Sequence, residues 1–154
     1  MTRVTSAVLL FLVLPVTAFA SLGGNVSSVE TDRVRTQSAL VRIQRVGGIP
    51  GYSIHELLSP TGTTIREFYG SDGVVFGVAW DGEWTPDLRQ LFGTYFDRYQ
   101  QIAATARRAH KNHARLAADD NDLIVQASGH ARSSTGIAYV RSLVPAGVSP
   151  EVVK

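Results

Sequence analysis

The chain contains no cysteine, so neither a disulfide framework nor thiolate chemistry can organise it. It also lacks a strong charge of either sign: 15 Lys and Arg stand against 13 Asp and Glu in 154 residues, a formal net of +2. Nucleic-acid binding draws on a concentrated basic surface that neutralises several phosphates, and so even a balance argues against a nucleic-acid partner. Charged residues make up only 18% of the chain against 44% hydrophobic. That excludes wholesale disorder and calls for one packed domain at this length. There is no internal repeat, no G-x-S-x-G nucleophile elbow and no apolar run approaching the roughly 20 residues that span a bilayer.

The longest apolar run that is present lies at the start. Arg3 gives a positive flank, Ala7 to Val16 an uncharged apolar stretch, and Ala18 and Ala20 the small-x-small pattern that signal peptidase accepts. A signal peptide over residues 1–20 is therefore expected, with cleavage before Ser21 and a periplasmic or secreted product. No cysteine exists to carry a lipid, and no stable membrane anchor should remain after cleavage. Asn25-Val26-Ser27 matches a glycosylation acceptor, but an unmodified segment is the favoured reading.

Hydrophobic periodicity predicts an α+β fold. Ser27-Ser28-Val29-Glu30 has the form of a capping box and predicts a short N-terminal helix to about Gln37. Val41 and Ile43 then alternate with Arg42 and Gln44 before a glycine-rich loop at 47–51. From Tyr52 the period is two, and turns at Ser59-Pro60-Thr61-Gly62 and Ser71-Asp72-Gly73 divide the chain into a three-stranded antiparallel meander ending near Trp80. Thr85-Pro86-Asp87 reads as a helix start with Thr85 as cap. Leu88, Leu91, Phe92, Tyr95, Tyr99, Ile102 and Ala103 follow at spacings of three and four and should face the sheet. Leu123 to Ser128 and Thr135 to Leu143 predict a terminal hairpin around a Gly129-centred loop, giving about five strands on one long amphipathic helix. Residues 21–148 form the expected domain and residues 149–154 a tail, with the stretch from Pro145 to Lys154 expected to dock loosely.

Leu22-Gly23-Gly24, Val75 to Trp80, Pro86 to Gly93, Gly129 to Arg132, Ala138 to Val140 and Leu143 to Val148 together resemble a family of small exported bacterial proteins, domain of unknown function 2844. The resemblance implies export and a single domain over most of the mature chain. It implies no activity and no residue roles. The basic stretch from Arg107 to Arg115 looks like a variable insert in this pattern.

Several residues carry chemistry worth placing. Ser128 and His130, with Arg132 just beyond, bring a nucleophile, a base and an anion binder close in sequence, the minimum of a small hydrolase. Without an elbow or an evident acid, a polar hairpin loop is the favoured reading. His55 should face Arg66 or Glu67 across a strand pair on the solvent side. His110 and His113 are three apart but sit among cations and lack a third ligand, so no metal and no cofactor is expected. Trp80 and Trp84 flank Asp81-Gly82-Glu83, and indoles beside acids can stack on a sugar or peptide. Trp80, Trp84 and Arg132 are accordingly the ligand-binding candidates. The favoured function is a non-catalytic envelope or secreted module that binds an envelope protein or glycan. A hydrolase using Ser128 and His130 and a structural accessory of an envelope assembly are the alternatives.

Overall fold

The computed structural model describes residues 21–26, 39–48, 51–109 and 115–154. The expected signal peptide, the N-terminal helix, and His110 and His113 lie outside the described residues.

The class is α+β, built on one antiparallel sheet of seven strands, two more than the pattern suggested. Strands β1 (Ala39–Val46), β2 (Tyr52–Leu58), β3 (Thr64–Gly70) and β4 (Val75–Gly82) form a four-stranded meander, and β5 (Arg115–Asp119), β6 (Leu123–His130) and β7 (Ser133–Val140) form a second. The two meet along β4 and β7, giving the order β1-β2-β3-β4-β7-β6-β5. β1 was legible as an alternation but is amphipathic only weakly, with Val41 and Ile43 both exposed. β5 is short and sits beside a basic stretch, where charge masked its alternation.

Between the meanders runs a helical segment in two parts, α1 (Leu88–Phe92) and α2 (Phe96–Ala109), joined by a 3-10 turn at Gly93–Tyr95. Its N-cap is Asp87, not Thr85: the Asp87 carboxylate accepts from the backbone N–H groups of Arg89 and Gln90. An ionised cap is favoured against the positive helix end. Thr85 instead turns its hydroxyl to Ser134, at 2.8 Å.

The helix covers one face of the sheet. Leu91, Phe92, Tyr99 and Ala103 are buried against Val78, Trp80, Leu123, Val125, Ala138 and Val140, while Leu22 enters the same cluster from the chain start. Phe92 meets Tyr99 edge-on at 4.8 Å between centroids and Trp80 at 6.2 Å, geometries that aromatic quadrupoles favour. The predicted stripe is thus the core.

The opposite face has a second apolar cluster, and its cover is the C-terminal segment. A bulge makes this possible: Phe68 pairs with Gly77 and Tyr69 with Val75, so Phe76 is an extra residue that turns to the far face beside Phe68. Val153 then packs onto the strand at 2% exposure. A Cβ on Gly77 would lie 2.6 Å from a Val153 methyl, so only glycine permits this approach. The segment expected to dock loosely is therefore fixed by Val153. With both faces covered, β4 is buried at every position from Val75 to Trp80.

The loop between β5 and β6 ties the helix to the sheet. Arg98 on α2 makes a two-pronged ion pair with Asp120 and reaches Asp122 at 3.2 Å, and Arg141 after β7 pairs with Asp119 at 2.9 Å. Desolvation pushes the Asp120 carboxyl up, but hydrogen bonds from Arg98 and from the Leu123 and Asp122 backbone outweigh it, and the net direction is down. Asp119 is lowered chiefly by Arg141, and Asp122 chiefly by the Ser142 backbone N–H.

Candidate binding rim

At one end of the sheet, the loop leaving β4 and the tip of the β6–β7 hairpin lie side by side. Gly82 is paired with Ser134, which fixes the register of both. Trp80 and Trp84 leave this junction in opposite senses. Trp80, expected at the ligand surface, is instead a core residue at 3% exposure. Its indole N–H donates to Ser134 Oγ at 3.2 Å. The ring lies against the backbone of Gly136, where any Cβ would stand 2.1 Å from it. Trp84 is 59% exposed. Its position is held by main chain, because the buried Thr63 hydroxyl donates to the Trp84 carbonyl at 2.7 Å.

Arg132 lies at the hairpin tip and pairs with Glu83 at 3.6 Å. The turn falls at Ala131 and Arg132, beyond the expected Gly129, which is part of β6. Arg132 has φ 62°, a left-handed conformation that costs a residue bearing a Cβ about 1–2 kcal/mol. The other non-glycine residue in that region is Asn121, a type that tolerates it. The rim is therefore an exposed indole, a carboxylate beside it, and a guanidinium held at a backbone position better suited to glycine.

Ser128 and His130 share one face of β6, paired with Thr135 and Ser133 respectively. Ser128 is half-buried and His130 exposed, and no hydrogen bond joins Ser128 to a histidine among the described residues. His55 does sit opposite Glu67, but both are buried rather than solvent-facing. Tyr69 lies 2.9 Å from His55 Nε2. The helix covers only part of that face, and sequence alternation alone does not say which face of an outer strand is closed. Among the described residues no group of three or more His, Asp and Glu side chains could hold a metal ion, and no helix is long and apolar enough to cross a membrane. The approach of Glu83 to Arg132 was not legible in sequence, since it follows from the β4–β7 register.

By fold and site the molecule is an antiparallel α+β domain with an exposed aromatic and charged rim. A family model described as a protein of unknown function, DUF2844, matches residues 18–153, and the chain belongs to that family. No curated protein and no solved structure matches it.

Proposed function

We propose that this protein is an exported, non-catalytic module that holds a glycan against the rim of Trp84, Glu83 and Arg132. The observation that carries the reading is Trp84 at 59% exposure beside the Glu83–Arg132 pair. A flat indole offers a surface to the C–H face of a sugar ring, and the flanking carboxylate and guanidinium accept from and donate to its hydroxyls. The strained backbone at Arg132 supports the same reading, since such strain gathers where a side chain has a task. Export rests on the Arg3, apolar run and Ala18–Ala20 pattern. It is supported by the burial of Leu22, the second residue after the expected cleavage point.

The two tryptophans give a direct test. Titration with neutral and acidic oligosaccharides should shift the fluorescence of the wild-type chain, and the shift should vanish in Trp84→Phe, which retains the buried Trp80. A panel that leaves the emission unchanged, or a shift that survives in the variant, rejects the rim as a glycan site. N-terminal sequencing of the exported protein should begin at Ser21.

A further inference from the structure

Beyond the rim, the tail-bearing face of the sheet is only half covered. Val153 closes it over Gly77, and next to the tail lies a depression of about 510 Å³ on the outer surface of β4 to β7. Its floor is apolar, with Ala79, Ile137 and Ala117, and polar side chains stand along one side of it.

The strand registers order those side chains. Arg115 pairs with Ser128, Ser128 with Thr135, and Thr135 with Asp81. These four residues form one straight line across β5, β6, β7 and β4, with strands about 4.8 Å apart. The line reads cation, hydroxyl, hydroxyl, carboxylate. Next to it Gln126 adds an amide, and Arg66 and Lys154 add positive charge where the tail ends. Arg66 is already engaged, by Glu56 at 3.9 Å and by the Lys154 carbonyl at 2.5 Å. Among the described residues Arg115 makes no ion pair, and the Ser128 and Thr135 hydroxyls make no side-chain hydrogen bond.

We infer that this platform binds an acidic glycan, with a sugar carboxylate on Arg115 and ring hydroxyls along Ser128, Thr135 and Asp81. This goes beyond the rim, since the strand registers and the lining of the depression carry it and Trp84 does not. With Arg66 taken up by Glu56, Arg115 and Lys154 stand against the acid Asp81 along the depression, which favours an anionic occupant. The composition of the line selects among anions. Sugars present donors and acceptors at neighbouring positions, so two hydroxyls and a terminal carboxylate suit them. A DNA backbone presents phosphates without neighbouring ring hydroxyls, and so leaves Ser128, Thr135 and Asp81 without partners. Arg115 matches a carboxylate in charge and in its planar, forked donors. Ser128 thereby has a role that needs no base.

The test compares oligogalacturonate with its fully methyl-esterified form, identical in backbone but uncharged, by calorimetric titration of the whole chain. The wild type should bind the acid form at least tenfold more tightly. Arg115→Gln should abolish that preference, and Ser128→Ala with Thr135→Val should weaken both ligands several-fold. Arg115 is exposed on an edge strand, so its variant should melt like the wild type, and Arg115→Glu provides a second variant that should reverse the preference. If Arg115→Gln keeps the preference, if neither ligand binds, or if single-stranded DNA of matched length binds as tightly as oligogalacturonate, the inference is overturned. Trp84→Phe separates the two readings. Unchanged affinities in that variant, with the preference lost in Arg115→Gln, reject the rim and uphold the platform.

Discussion

The two faces of the sheet share the same backbone and are finished differently. On the helix face, Leu22, Trp80, Phe92 and Tyr99 interlock with no more than 8% of any of them exposed. On the tail face a smaller cluster of Phe68, Phe76, Ala79 and Val153 closes one part, while Arg115, Ser128, Thr135 and Asp81 form a polar row across the part left open. One strand can serve both because its side chains alternate. The lesson is a division of labour: substitutions toward the helix should register as stability, and those on the open part of the tail face as binding.

The sharpest way to break this contrast is Phe92→Ala. Phe92 is fully buried between Trp80 and Tyr99, so the loss should be about 3–5 kcal/mol in a urea unfolding curve. A loss below about 1 kcal/mol would mean that the helix is not the main cover. Val153→Ala tests the other cover and should cost about 1–3 kcal/mol, since two buried methyl groups leave a space that Gly77 cannot fill. A tail docked loosely would give no measurable change.

A smaller effect should come from the acidic loop. The carboxyls of Asp119, Asp120 and Asp122 are all held below their ordinary value by arginine and backbone partners. A depressed folded-state pKa gives stability that is complete above the unfolded value and is lost as pH falls through the folded one. Unfolding midpoints should therefore drop below about pH 4. Asp120→Asn should lower the midpoint at pH 7 by less than Val153→Ala does, and the gap from the wild type should narrow as the pH falls and the Asp120 carboxyl becomes protonated. A pH-independent gap between the two would mean that the Asp120 charge contributes nothing.

How far the sequence carried this architecture depended on whether a signal was local. The stripe from Leu88 to Ala103 has a single period and a single partner, and it landed on the core. Turns marked by glycine and proline placed β2, β3 and β4 within a residue or two. Three features escaped because they are decided by pairing across the chain. The closed surroundings of His55 depend on what covers an outer strand. The burial of Trp80, which leaves Trp84 as the exposed indole, depends on Gly136, more than fifty residues away. The platform depends on registers among four strands, although the period-two run of Gln126, Ser128 and His130 was a visible hint that one face of β6 is polar.

The smallest stability effect, and the most telling, belongs to Arg132. Its φ of 62° is a conformation in which glycine is at ease, so Arg132→Gly should relieve about 1 kcal/mol of strain. Against that gain stand the looser unfolded chain that glycine brings and the loss of an exposed ion pair with Glu83, which contributes little in water. The net change should lie between no effect and a stabilisation of about 1 kcal/mol in thermal melts. Glycan binding at the rim should nevertheless weaken, because the guanidinium beside Trp84 is gone while the Thr63 bond to the Trp84 carbonyl still holds the loop in place. A variant at least as stable as the wild type that binds less well would show that the hairpin tip keeps a costly residue for its chemistry. Unchanged binding would return Arg132 to the ordinary surface and leave Trp84 to act without it.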